Sequence, residues 1–523
     1  MSYIKKLISL LMAGCVLFGL AACSAGETNQ GEKTVEVFEE TVTEIPEEEK
    51  LLQERLPAEN ISLPYLSGDS LDPYLCTSDT NRLFQPLIFQ SLFKTLEDGS
   101  VEPELCKELS TSNNHVFLLT INEGIYFSDG SELTLEDVRY SVSCAIAPDS
   151  YYKSRLSNVV ACYVTGDTLV IETQSITPHF TSLLTFPICK SGNPYVGTGL
   201  YKKHTDDTGA VTLTPNSFNE HSDELSVRLI NLVSYDDILD MVSDFSQKKL
   251  AMTCNDFLNT SSPGYAGDYD IWTCPTNTMV YLAYNVNKPI FSLGYSRYAV
   301  GRAIDRETIA SDIFRGYATP SCLAVPQGHI WYSEIAAEYG DYAPGIITDY
   351  LTDRGFRDYE NDGIINAETY YGWFNFSFDI VVNAESDYKI QTAKKIAEDL
   401  KQYGINAYVR TLVWDDYLTA LRTGDFYAYI GEVNLAPDFN LRRLIGTGGA
   451  LNYSYYDDAD MDILMEQGEF NDEYWETFLT CAAISPIVFK NTCVLTQRGT
   501  FTNLSPVCGD VLNDFENLEI LQS

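Results

Sequence analysis

The first regularity along the chain is a run of fourteen uncharged, mostly apolar residues, Leu7 to Leu20, behind the lysines Lys5 and Lys6. At 1.5 Å per residue this run falls short of the ~30 Å apolar slab of a membrane; a positive flank before a short apolar run is the order of a secretory signal. No later stretch holds eighteen apolar residues in a row, so no further membrane-crossing helix is expected. From Ser24 to Asn60 the periodicity disappears. Eleven glutamates crowd this stretch with few aromatics, so it self-repels and cannot bury enough surface to order itself. It reads as a tether over residues 23–60.

Apolar periodicity then returns. Val116 to Ile121 is a strand candidate. Thr134 is placed to cap a helix with Asp137 three residues on, and Val138, Val142 and Ala145 share its inner face. Ser296 to Phe314 predicts one helix through Ala299, Val300, Ala303, Ile304 and Ile313, stopped by Gly316. Tyr388 to Tyr403 predicts another, with Gly404 supplying the left-handed turn at its end. Strand Ile380–Asn383, that helix and strand Ile405–Leu412 form a βαβ crossover, which implies parallel pairing and an α/β sheet.

The apolar leader ends in Leu20-Ala21-Ala22-Cys23, which resembles the bacterial lipobox. Residues 1–22 would then be a signal peptide, and Cys23 the lipidated residue that anchors an extracytoplasmic protein to a bacterial membrane.

The 523 residues carry 34 basic and 74 acidic side chains, a formal charge of -40. Such a surface repels nucleic acid and anionic headgroups, so contact with the membrane is expected through the lipid anchor alone. The thirteen cysteines show no C-x-x-C pair and no zinc spacing. Eleven fall in the body; an odd number cannot all pair internally, and buried free thiols explain them as well as disulfides do. Cys493 and Cys508 are spaced to bridge the C-terminal segment, a point the sequence leaves open. Asp358 to Ile365 faintly resembles a calcium loop but has Thr369 where the bidentate glutamate belongs; Asp362-Gly363 reads as a turn before a strand. Gly197-Thr198-Gly199 and Gly446 to Gly449 read as turns. No pair among the five histidines has metal spacing and no G-x-S-x-G elbow occurs, so neither a metal nor a cofactor is expected, and no catalytic residue is assigned.

Five collinear segments carry a resemblance. They are Leu71-Asp72-Pro73 with Ile88 to Phe93; Asp98 to Leu105; Leu119 to Val138 with its Phe127-Ser128-Asp129-Gly130 turn; Val196-Gly197-Thr198-Gly199-Leu200-Tyr201; and Tyr284 to Asn287 followed by Arg297 to Arg306. Together these resemble the extracellular solute-binding proteins of family 5, which capture oligopeptides, dipeptides, nickel chelates or haem for ABC importers. The resemblance implies a two-lobed periplasmic-binding-protein-like fold, type II, of the large cluster with an extra subdomain, its hinged lobes set around a central cleft. Lobe 1 would hold residues 61–283 plus 486–523, with a subdomain at about 90–185; lobe 2 would hold 284–485. It implies a monomer that binds a peptide or other small solute and works with the permease and ATPase subunits of an importer.

In peptide-binding relatives the residues after "Leu-Asp-Pro" line the cleft, here Thr77, Ser78 and Asp79. The strand reaching Glu432, Val433 and Asn434 would form another wall, with Trp414 opening the helix before it. The Asp that pairs with a peptide amine in such relatives is displaced here to Asp438, after Pro437, and Glu432 is a second carboxylate for that role. Two other functions stay open: a secreted hydrolase using paired carboxylates, and a receptor that binds a signalling peptide without transport.

Overall fold

The structure is a computed structural model that describes residues 56–258, 264–369 and 372–522. The expected signal segment 1–22, Cys23 and all but the last five residues of the expected tether lie outside the described residues. Those five are fastened to the C-terminal end: Ala58 N–H donates to Ile520 O at 2.7 Å, and Gln522 N–H to Leu56 O at 2.9 Å.

In chain order, the first lobe uses β1 (Asn60–Leu66), the hairpin β2 (Phe93–Thr95) and β3 (Val101–Pro103), β4 (Cys106–Thr111), β5 (Val116–Ile121), α1 (Leu135–Ala145), β6 (Val159–Thr165), β7 (Thr168–Thr173), β8 (Tyr201–Thr205), β9 (Val211–Pro215), β10 (Leu229–Tyr235), α2 (Ile238–Ser246) and β11 (Met252–Asn255). β1 pairs parallel with β10 in the order β1-β10-β9-β8, while β4-β5-β7-β6 forms a separate antiparallel sheet. Strand β5 matches the predicted range, and Asp137 takes the Thr134 N–H at 2.9 Å in the expected capping box. The Gly-Thr-Gly turn is a close approach: a Cβ on Gly197 would lie 2.1 Å from Ile88 O, and Gly199 N–H donates to that same carbonyl.

The second lobe follows with β12 (Tyr269–Tyr284), α3 (Gly294–Arg302), β13 (Ala318–Pro320), α4 (Glu334–Gly340), α5 (Pro344–Thr352), β14 (Asn366–Thr369), β15 (Gly372–Asn375), β16 (Ser377–Asn383), α6 (Asp387–Lys401), β17 (Asn406–Leu412), α7 (Trp414–Thr423), β18 (Ala428–Asn434), α8 (Ala459–Gln467), α9 (Asp472–Cys481) and β19 (Ile484–Gln497). β16 and β17 pair parallel across α6, as the crossover predicts. Gly404 has φ +72 behind α6. The sheet is buried on both faces, so β12 alternates between two apolar layers: Val280, Leu282 and Tyr284 enter one, Met279, Tyr281 and Ala283 the other.

The helix predicted over 296–314 is broken. α3 stops at Arg302; Asp305 then accepts the Thr308 N–H and caps a single turn, Arg306–Thr308, which runs into a π-turn at Ile309–Ile313. The buried Arg306 guanidinium draws the intervening backbone inward, donating to Ile304 O, Gly301 O and Pro486 O. Arg297, also buried, donates to Phe291 O and Cys481 O. These arginines of the resembling segment hold the scaffold together.

Among the described strands, only β12 and β19 run through both cores. Trp272 pairs with Val494 in the first lobe; past a register break between Pro275 and Met279, Met279 pairs with Phe489 in the second. The ladder is interrupted at 276–278, opposite Lys490, next to Pro275, which has no N–H to donate; we propose that the hinge crossings lie there, a few residues from the 283/284 and 485/486 boundaries expected from the sequence.

Candidate functional site

The two carboxylates singled out in the sequence, both near the end of β18, have opposite circumstances. Glu432 is internally neutralised. Lys389 Nζ lies 3.0 Å from its Oε2, Lys490 Nζ 3.5 Å from its Oε1, and Tyr388 donates its hydroxyl to Oε2 at 2.6 Å. Burial alone would raise this carboxyl, but the two ammonium groups and the phenol outweigh it and hold it below its usual range.

Among the described residues, Asp438 has no such ion-pair partner. The chain leaves β18 with Leu435 N–H bonded to Asn277 O, turns through Ala436-Pro437 with Phe439 N–H on Ala436 O, and takes φ +47 at Phe439. This turn buries Asp438 to 9% exposure, with one hydrogen bond, from Asn440 N–H at 3.2 Å. Burial pushes its carboxyl up to about 6, which the field of Arg155 offsets only in part; that guanidinium is engaged by Thr185. Beside it is a small cavity walled by Pro178, His179, Leu441, Met465 and Tyr474, with about 10 Å³ of space for a water-sized group.

The other expected residues are placed as follows. The Asp69 carboxylate gathers the N–H groups of Thr77 and Ser78, Ser78 caps the turn Asp79–Arg82, and Asp79 pairs with Arg82. Asp79 O meets Cys254 Sγ at 3.7 Å, which brings this loop beside β11. Val433 pairs with Met279 and Asn434 with Thr278, at the second-lobe end of the break in β12. Trp414 is half exposed and stacks on Tyr417 at 5.7 Å. Cys493 and Cys508 are both free thiols, like the other nine described cysteines. Asp362-Gly363 is a turn, its two N–H groups held by Asp358.

Sequence reasoning missed three things. One is the pair Lys389 and Lys490, 101 residues apart in the chain and joined on one carboxylate. A second is a groove of about 840 Å³ along α6, bordered by Asn255 at the end of β11 and Phe257 just beyond it, by Asp312 and Arg315, and by Tyr388 and Lys394. The third is a contact between the lobes. His329 of the second lobe lies over Gly99 at the β2–β3 tip, and Ile330 N–H donates to Asp98 O at 2.7 Å. Close by, His179 of the first lobe meets Gly468 O at 2.5 Å and packs on Trp331 and Phe470. Burial lowers both histidines, His329 to about 4.

Comparison with known proteins bears on what such a two-lobed body is for. The chain is similar to the oligopeptide-binding protein OppA of Bacillus subtilis, 24% identical over 300 residues, 49% of this chain and 54% of that protein. The match therefore spans about half the length of that relative. It is also similar to the oligopeptide-binding protein AppA of the same organism, 22% identical over 460 residues, 79% of this chain and 82% of that one. Among solved structures, the unliganded open form of the periplasmic murein tripeptide binding protein MppA superposes with a TM-score of 0.71 at 16% identity, covering 90% of this chain and 99% of that one. Residues 100–449 match the family described as bacterial extracellular solute-binding proteins, family 5 Middle, and the chain belongs to that family.

Proposed function

We propose that this chain captures a peptide or similar small solute carrying a cationic amine and passes it, chemically unchanged, to the permease and ATPase subunits of an ABC importer. The observation that carries this reading is Asp438: a largely buried carboxylate with an N–H donor from Asn440 and, among the described residues, no ion-pair partner, at a place where the first lobe supplies Pro178 and His179 and the second supplies the rest. An unpaired buried carboxylate is costly, and a ligand ammonium would relieve that cost. The names of OppA, AppA and MppA, which all refer to peptides, support the same class. In this reading Cys23 is lipidated, and the protein works as a lipid-anchored monomer outside the cytoplasm.

Native mass spectrometry of the purified protein with a mixed-sequence tetrapeptide library is the test. The expected result is one retained peptide per chain, released with its mass unchanged. Cleaved peptides would favour a hydrolase, and retention of none would remove the peptide reading. Uptake by vesicles holding the cognate permease separates an importer subunit from a receptor that signals without transport.

A further inference from the structure

Two consecutive helices of the second lobe turn large apolar side chains outward. On α4, Ile335 and Tyr339 stand one turn apart and are both 65% exposed; Tyr342 in the linker and Ile346 on α5 are 37% and 47% exposed. The same helices bury Ala336, Ala337, Ile347 and Leu351 on their inner side, so the outer set has no part in the core. Tyr298 of α3 joins the two: its hydroxyl donates to Tyr339 O at 2.8 Å, and its ring meets that of Tyr350, one turn after Ile346, at 5.4 Å. The charge around this patch has one sign. Ser333 to Asp353 carries Glu334, Glu338, Asp341, Asp349 and Asp353 and no lysine or arginine. All five acidic residues are exposed, and among the described residues none of them is in an ion pair. Arg354, the next residue, is spread over the Tyr350 ring at 3.5 Å. Single apolar residues are ordinary on a surface, but four large ones grouped inside an unpaired polar rim have the composition of an interface.

The sign of the charge selects the occupant. A second copy seated on the same patch would set five carboxylates against five, and an anionic bilayer would be repelled outright. What fits is a protein surface that offers apolar side chains inside a ring of lysines and arginines. We propose that this face of the second lobe docks on the extracytoplasmic surface of the importer's permease, through such a ring. This rests on the importer reading above and names the surface it uses. A delivery protein has to find its partner quickly and leave it again in every cycle. A small apolar centre with a rim of one charge serves both needs, because the charge speeds the encounter while little area is buried.

The test uses the full chain, loaded with the tetrapeptides it retains, and the cognate permease and ATPase subunits reconstituted in vesicles. The readout is the concentration of binding protein that half-saturates ATP hydrolysis. The double variant Ile335→Ser/Tyr339→Ser should raise that concentration roughly ten-fold or more. Glu338→Lys should raise it several-fold at low salt and flatten its dependence on added salt. Peptide retention and melting temperature should stay at wild-type values in both, since the altered side chains are exposed and far from any core contact. Val160→Ser, at a site 60% exposed on the first lobe, should match the wild type throughout. Unchanged half-saturation in the double variant overturns the docking face and leaves the importer reading standing. So does a wild-type dimer in sedimentation that the double variant abolishes, which would make the occupant a second copy. A wild type that drives no ATP hydrolysis at any concentration overturns the importer reading, and the permease as occupant with it.

Discussion

Gly99→Ala probes the contact between the lobes at a point where the geometry leaves no slack. Gly99 has φ +77, and a Cβ there would lie 2.1 Å from His329 Cδ2 and 2.3 Å from Nε2. The substitution acts in two separable ways. The left-handed backbone costs an alanine about 1–2 kcal/mol whether or not the lobes touch, so it lowers overall stability without loosening the contact. The overlap exists only while the lobes touch, and it forces His329 out from between Gly99, Trp331 and Phe439. Displacing a packed ring costs about 1–3 kcal/mol, and losing the Ile330 N–H to Asp98 O bond about 0.5–1.5 kcal/mol. Together these come to about 3 kcal/mol, on the order of a hundred-fold in the joined-to-separated ratio. Hydrogen exchange read by mass spectrometry should show the segment holding Ile330 exchanging faster by about that factor, with Trp331 fluorescence shifting toward a wetter environment. A lowered melting temperature with the Ile330 segment still fully protected would refute this account of the contact.

Acid should loosen the same contact. His329, lowered to about 4 by burial against the weaker opposing pull of Asp98, is neutral when joined; once freed it titrates near the usual 6.5. The separated state therefore gains protons first, and the contact weakens as pH falls from about 6.5 toward 4, by up to about 3 kcal/mol, with buried His179 adding in the same direction. Exchange at Ile330 that does not change over this range would contradict it. Asp438 has the opposite sign: its carboxyl is raised from 3.8 to about 6, so it destabilises the fold at neutral pH, and that penalty fades as pH falls from about 6 toward 3.8. Asp438→Asn should therefore stabilise the protein at pH 7 by about 2–3 kcal/mol, seen in chemical denaturation, while weakening peptide capture at least ten-fold. Unchanged capture would remove Asp438 from the site. In the wild type, capture should tighten as pH rises through 6, because only the ionised carboxylate attracts an ammonium; calorimetry across pH 5–7 tests this.

Much of the fold was legible because its signals are local. The Thr134 cap and the strand at 116–121 depend on residues within one or two turns of each other, and the crossover around α6 on three elements consecutive in the chain. The resembling segments were legible too, and the structure shows why they read as scaffold. Gly197 and Gly199 let their turn lie against Ile88 O, and Arg297 and Arg306 hold carbonyls at the end of α9 and the start of β19. The break after α3 was not legible, since apolar residues keep helical spacing from Ala299 to Ile313 while Asp305 restarts the helix through its own side chain. The candidate site was the least legible part. Nothing near Lys389 in the chain announces Lys490; they meet because β18 and β19 both pair with β12, which brings Glu432 within reach of both. In the same way Asp438 and Glu432 look alike in sequence, and only burial and partners separate the neutralised carboxylate from the unpaired one.

The claim beneath all of this is that two lobes joined at β12 and β19 draw together around an intact solute. Small-angle X-ray scattering of the purified protein, with and without the tetrapeptides it retains, measures that motion directly. The radius of gyration should fall when peptide is bound and recover when it is released whole. A radius of gyration that saturating peptide leaves unchanged would contradict the account.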